Sequence, residues 1–208
     1  APPTGDVTSR NQVVGPGINN ATDAMIIIPA DNGTDYFLIT QQSGTGSFIV
    51  TSITSTGFNQ LPAVNVGLSF SASHFSYHAT SGRLAVTPTE ASENVLILDF
   101  DDISGALSLN QILFNTSVAV TTQPAYYDVE WSNTGQYLYF SRTGDAGVNA
   151  NILQLDLNTP NASTQTINTP AFFRSWGLQQ APDSTIYHLY QSVNGGPFLL
   201  GQINQIDS

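Results

Sequence analysis

Asn94-Val95-Leu96-Ile97-Leu98-Asp99-Phe100 returns 57 residues later as Asn151-Ile152-Leu153-Gln154-Leu155-Asp156-Leu157. Four positions are identical, a fifth exchanges Val for Ile, and both copies end in Leu-Asp before a large apolar residue. Self-similarity on this scale marks a repeat architecture, in which each unit buries its apolar face against the next.

Reading outward, each copy follows a glycine turn and an apolar run: Gly82 with Leu84 to Val86, and Gly135 with Tyr137 to Phe140. Two further units fit, one around Gly33 with Tyr36 to Ile39 and Phe48 to Val50, the other around Ser184 with Ile186 to Leu189 and Phe198 to Leu200. The turn positions 33, 82, 135 and 184 are separated by 49, 53 and 49 residues. Each turn is rich in Asn, Asp, Ser, Pro or Gly, which tolerate positive φ or bond back to the backbone. An apolar run precedes each turn: Ala24 to Ile28, Phe75 to His78, Tyr126 to Trp131 and Phe173 to Leu178. Weaker fourth strands are expected at Ala63 to Val66, Leu109 to Phe114 and Thr164 to Ile167. No window shows a helical period with helix-forming residues.

The expected fold is therefore all-β and β-propeller-like. It has about four blades of three to four antiparallel strands, near 21–68, 69–120, 121–170 and 171–208, in one domain over 1–208. A β-sandwich is the competing architecture, but it offers no reason for a Leu-Asp heptad to recur. Residues 1–20 form an N-terminal segment, in which Asn11 to Val14 could supply a closing strand. Otherwise the four blades are an arc of a larger ring, and the ends of the chain favour a fragment.

The 208 residues carry four Arg, no Lys and 15 acidic side chains, a formal charge of −11 with only 9% charged residues. Nucleic acid and anionic membrane need basic patches, so both are excluded as expected partners. No apolar run is long enough to span a bilayer, so membrane insertion is not expected. The absence of Cys removes disulfides, Cys-ligated zinc and Cys nucleophiles. A Lys-free chain rich in Thr, Asn and Ser points to an extracellular or cell-surface setting.

Several runs resemble a known family. Trp131-Ser132-Asn133-Thr134-Gly135-Gln136-Tyr137-Leu138-Tyr139-Phe140-Ser141 is similar to "FSPNGKYLYVS", and Gly177 to Tyr187 to "LQLAPDGKIYVA". Both runs occur in propeller-like (WD40/YVTN-like) repeat domains of large secreted or cell-surface Bacteroidetes proteins of the type IX secretion or gliding-associated type. Leu98 to Asp101 with Ser104-Gly105, and Ile26 to Pro29 with Tyr36 to Thr40, resemble two further segments, in the same order. Ser184 stands where that pattern has Gly, and Asn133-Thr134 where it has Pro-Asn. The resemblance implies a propeller and a surface location, and it supplies no active residues.

Candidate sites follow from side-chain chemistry. Asp99, Asp101 and Asp102, with Ser104, form the densest oxygen cluster, the donor type that Ca²⁺ takes, although a strand-end or turn role explains a shared Asp better. No other cofactor is expected. Asp31 to Asp35 reads as a hairpin turn rather than a full calcium loop. His74 and His78 could share a strand face, without an evident third ligand. Asp128 and Glu130 share a strand face, as an acid–base pair would, but solvated positions are the commoner reading. Trp176 and Arg174, beside a Pro-flanked loop, are the tentative ligand-binding pair, since exposed aromatic faces stack on sugars or pack at interfaces. Sequons at Asn20, Asn32, Asn115 and Asn161 are expected by chance in so Asn- and Thr-rich a chain.

These features lead to one main expectation. The chain would be a non-catalytic binding or adhesion module, not an enzyme, contacting a glycan, a protein surface or neighbouring domains of the same long chain. The alternatives are a structural unit of a surface filament or multidomain chain and, last, a propeller-type hydrolase, ranked low because the acids were expected in turns.

Overall fold

The computed structural model describes residues 20–89, 94–115, 126–142, 150–159, 164–167, 172–204 and 207. The suggested closing strand at Asn11 to Val14 and the sequon at Asn161 lie outside these residues. Four antiparallel sheets follow one another along the chain. The first comprises β1 (Ala21–Pro29), β2 (Tyr36–Gln42), β3 (Ser47–Thr54), β4 (Gly57–Gln60) and β5 (Val64–Asn65). The second comprises β6 (Ala72–His78), β7 (Arg83–Pro88), β8 (Asn94–Phe100) and β9 (Leu107–Asn115). The third comprises β10 (Asp128–Trp131), β11 (Tyr137–Arg142), β12 (Asn151–Asp156) and β13 (Gln165–Thr166). The fourth comprises β14 (Arg174–Gln180), β15 (Ile186–Gln191) and β16 (Leu199–Ile203). The only helical element among the described residues is one 3-10 turn at Ala79–Ser81.

The all-β, blade-by-blade architecture expected from the repeat is what the chain adopts. The strand β4 was not foreseen, because Gly57, Phe58 and Asn59 are exposed and carry no alternating pattern. The two copies of the heptad are β8 and β12, each the third strand of its sheet.

Sheet-on-sheet packing explains the heptad. On β8, Leu96, Leu98 and Phe100 pack with Ile28, Phe37, Phe48 and Val50 of the first sheet. The alternate residues Val95 and Ile97 pack with Val129, Trp131, Leu138 and Phe140 of the third. A strand alternates its side chains between two faces, and here neither face meets water, so four adjacent positions are apolar and all are at most 1% exposed. On β11 and β12, Tyr139 and Ile152 turn to the fourth sheet and join Leu178 and Ile186. Each such buried aliphatic side chain contributes about 1.5–3 kcal/mol. The first strands of successive sheets lie side by side, β1 against β6, β6 against β10 and β10 against β14. These are the inner strands, and their shared edge is where a site would form.

The turns repeat as closely as the strands do. Positions 33, 82, 135 and 184 have φ of 70°, 64°, 70° and 66°. Their N–H groups donate to the carbonyls of Ala30, Ala79, Ser132 and Ala181, each three residues earlier. Ser184 therefore holds the left-handed conformation that glycine holds in the other three, at a steric cost of roughly 1–2 kcal/mol. The first turn is closed by Asn32, whose Oδ1 accepts the N–H groups of Thr34 and Asp35 at 3.0 Å each. Asp31 to Asp35 is thus a hairpin turn, with its polar groups spent locally.

Two substitutions test this repeat. Ser184→Gly is expected to raise stability by about 1 kcal/mol, by relieving the left-handed Ser. Gly135→Ala is expected to lower it by roughly 2–3 kcal/mol, because a Cβ there would stand 2.7 Å from the His78 ring. Urea unfolding midpoints of both variants against the parent chain would read the two signs.

Candidate functional site at the inner strands

The second, third and fourth sheets are joined near their inner edges by polar side chains rather than by apolar contact alone. Trp131 Nε1 donates to the Ser76 carbonyl at 2.9 Å. His78 Nε2 donates to the Asn133 carbonyl at 2.9 Å, while its Nδ1 lies 2.8 Å from Ser81 Oγ. The two carboxylates of β10 reach across to β14. Asp128 Oδ2 accepts the Leu178 N–H at 2.8 Å, and its Oδ1 the Val129 N–H at 2.8 Å. Glu130 Oε2 accepts the Gln180 N–H at 3.0 Å, and its Oε1 accepts Ser76 Oγ at 2.6 Å and the Trp131 N–H at 2.9 Å. β14 is the edge strand of its sheet, so the N–H groups of Leu178 and Gln180, which face away from β15, find carboxylate acceptors on β10.

Asp128 and Glu130 border a cavity of about 430 Å³ together with His74, Ser76 and Tyr77 of β6, Ile26 of β1 and Leu178 to Gln180 of β14. A second cavity of about 560 Å³ adjoins it through His74, lined by hydroxyl side chains including Thr22, Ser43, Ser71, Ser73 and Thr89. Among the described residues, no Lys or Arg lines either one. The ring of Tyr127 packs on His74 at 5.2 Å and edge-on to Trp176 at 5.3 Å. His74 Nδ1 and Trp176 Nε1 are buried and make no hydrogen bond within the chain.

Burial dominates the electrostatics. Asp128 is only 7% exposed, and desolvation pushes its pKa up to about 6, against the opposing pull of His74 and of the N–H groups of Leu178 and Val129, with Glu130 adding a smaller upward push. A carboxyl poised near neutrality can take and return a proton under ordinary conditions. The expectation that Asp128 and Glu130 are solvated strand positions is therefore corrected. Alternating strand positions do not reveal that both faces of β10 are covered.

On β15, His188 has a buried partner. Its Nε2 lies 2.7 Å from Ser175 Oγ, and burial alone lowers its pKa to about 4. Ser175 and His188 are 0% and 1% exposed, so no substrate reaches them, and the pair is a core hydrogen bond rather than a nucleophile and base.

The remaining candidates fall elsewhere. Asp99 accepts both bonds from Asn110 Nδ2, at 2.9 and 2.8 Å. Asp101 lies past the end of β8, in a turn rather than on the strand, and accepts the Ile103 N–H at 3.0 Å and Ser104 Oγ at 2.6 Å. These bonds, Ser104 foremost, lower its pKa. Asp102 meets the first sheet through its carbonyl, which accepts the Asp31 N–H. Asp99, Asp101 and Asp102 are thus turned to separate partners, and no group of three His, Asp or Glu that could hold a metal occurs among the described residues. Asp156, the counterpart of Asp99, accepts the Asn158 N–H at 2.9 Å, as a strand-end Asp should. Arg174 lies over the Phe173 ring at 5.5 Å. Trp176 belongs to the aromatic wall beside His74.

No family model matches the chain, and no curated protein does. Solved structures do. A protein of Bacteroides uniformis provisionally named as a 6-phosphogluconolactonase superposes with a TM-score of 0.59 at 15% identity, over 89% of this chain and 54% of its own. A similarly named protein of Bacteroides fragilis gives 0.56 at 14% identity, over 89% and 54%. Hydrazine synthase of Kuenenia stuttgartiensis gives 0.53 at 15% identity, over 86% and 49%. The chain spans about half the length of each. At such identity the likeness carries the propeller-like fold. The expectation of a non-catalytic adhesion module, not an enzyme, is corrected here: several of the similar structures are named for lactonases, and a buried carboxyl with a raised pKa lines the inner groove.

Asp128 and His188 give opposite pH dependences of stability. Asp128 keeps its proton to higher pH when folded, so its burial costs nothing near pH 4 and its full penalty above about 6. His188 stays neutral when folded, so stability falls as pH drops from about 6.5 toward 4. In Asp128→Asn the Asp128 dependence is removed, while that of His188 and of the other shifted groups remains. The stability of that variant relative to the parent should therefore rise by roughly 3 kcal/mol from pH 4 to pH 7, measured as urea unfolding free energies. A difference that is flat with pH would assign Asp128 an ordinary pKa.

Proposed function

We propose that the chain is a propeller-type hydrolase, acting on an uncharged lactone or related cyclic ester at the groove lined by His74, Asp128 and Glu130. The observation that carries this reading is Asp128, a buried carboxyl with its pKa near 6 on an inner strand, beside a His and a cavity with room for a small ring. The lactonase names of the similar Bacteroides structures support the reaction class. The lining supports the substrate charge. With carboxylates, hydroxyls and no Lys or Arg among the described lining residues, the groove offers hydrogen bonds to a polyhydroxylated ring and disfavours a phosphate.

In this reading ionised Asp128 takes a proton from water as the water oxygen bonds to the lactone carbonyl carbon. The oxyanion that forms then collapses, the ring C–O bond breaks, and Asp128 returns its proton to the leaving alkoxide, giving the open hydroxy acid. Glu130 positions β14 and Ser76, and Tyr127 lines the adjoining cavity with Trp176 edge-on against it. The sequence runs Trp131 to Ser141 and Gly177 to Tyr187 support placing the chain in a secreted or cell-surface protein, which fractionation of producing cells would test.

The activity test is a pH-stat assay with an unphosphorylated aldonolactone and its phosphorylated counterpart. Acceleration of the neutral lactone is expected, rising with pH through about 6 as Asp128 ionises. It should fall at least ~100-fold in Asp128→Asn, with the phosphorylated lactone a poorer substrate. No acceleration of either lactone, or full activity in Asp128→Asn, overturns the reading.

A further inference from the structure

The adjoining cavity of about 560 Å³ is larger than the one beside Asp128, and a single lactone ring at Asp128 does not fill it. The two lie in line along the same inner strands. The larger is bordered by the first residues of β1 and β6 and by Tyr127, directly before β10, whereas the smaller begins at His74 and continues past Asp128. Tyr127 and Asp128 are consecutive, with Cα atoms about 3.8 Å apart, so groups seated at the two residues are close enough to belong to one ligand. Among its described residues the larger cavity presents the hydroxyls of Thr22, Ser43, Ser73 and Thr89, the carboxylate of Asp23, and no Lys or Arg. Its aromatic surface is the ring of Tyr127, held by His74 packed at 5.2 Å and by Trp176 edge-on at 5.3 Å.

We infer that this larger cavity holds a neutral glycosyl unit joined through its glycosidic oxygen to the lactone ring at Asp128, so that the substrate is a glycosylated aldonolactone rather than a free one. The inference rests on the hydrolase reading of the Asp128 cavity. Hydroxyls donate and accept, which matches a sugar that does both, and the Tyr127 ring matches the apolar C–H face of a pyranose. An acyl chain in the same place would leave the hydroxyls unpaired, and an anionic substituent would meet Asp23 with no Lys or Arg beside it. Water adds across the ring ester alone. Its oxygen bonds to the carbonyl carbon, its proton passes through Asp128 to the ring oxygen, and the glycosidic bond stays intact. The glycosyl unit holds the lactone in place and so raises kcat/KM without touching the reacting atoms.

Two measurements separate this inference from the reading it rests on. In the pH-stat, kcat/KM is compared for an aldonolactone and for the same lactone bearing a glucosyl unit. A preference of at least ~10-fold for the glycosylated lactone is expected, the worth of one or two net hydrogen bonds. Ala21→Trp and Ser43→Trp each place an indole in the larger cavity from an exposed position and should remove that preference, with the circular dichroism of the strands checking that each variant folds. Calorimetry with unreactive sugars needs no turnover: a disaccharide of two glucose units should bind the parent chain at least ~10-fold more tightly than glucose, and lose that advantage in both variants. Hydrolysis of both lactones at equal kcat/KM, or a preference that survives both substitutions, overturns the inference and leaves the hydrolase reading standing. Tighter disaccharide binding without turnover of either lactone overturns the hydrolase reading and leaves the larger cavity as a sugar site. Neither turnover nor a disaccharide advantage overturns both.

Discussion

The structure depends on one requirement, that sheets be covered on both faces by other sheets. Strand β8 states it most simply. Val95 and Ile97 need the third sheet, Leu96 and Leu98 need the first, and no position of this run is left for water. Stacking in sequence order is the arrangement that satisfies a tandem repeat of such strands. The same requirement explains the heptad, which is a strand with two interfaces rather than one.

Apolar sheet faces fix distance but not register, because they are smooth and slide. Register here comes from the polar bonds at the inner edges. Gln41 Nε2 reaches the Phe70 carbonyl and its Oε1 takes the Ala72 N–H, joining the first sheet to the second. His78 and Trp131 join the second to the third, and Asp128 and Glu130 the third to the fourth. Each bond meets a backbone group that would otherwise be buried unpaired. The carboxylates do this at a cost, since burial works against the charge of Asp128. A group that is dear to keep ionised and yet sits at the wall of a cavity is the kind on which catalysis draws.

Fold and chemistry separate cleanly in this chain. The same sheet arrangement is similar to proteins named as lactonases and to hydrazine synthase, so architecture does not select a reaction. The selection lies in what the inner strands present. Here that is carboxylates, an imidazole, hydroxyls and aromatic edges, with no Lys or Arg among the described residues that line the groove.

The residues by themselves determined the repeat. Turns at 33, 82, 135 and 184 and the Leu-Asp heptads are local signals, set by backbone conformation and side-chain period, and they place four antiparallel units without reference to anything distant. Even Ser184, which breaks the glycine pattern, keeps the turn, because the hairpin imposes the left-handed conformation. Only the tertiary structure decided the site. Asp128 and Glu130 read as solvated acids because a period of two reveals one covered face and not two. That they lie against β14 depends on the edge of a strand 50 residues away in the chain. Likewise Asp99 and Asp101 are neighbours in sequence, but a strand end and a turn point their side chains to different partners. Proximity along the chain is fixed by covalent bonds, whereas a pKa and a cavity are properties of what packs across the fold.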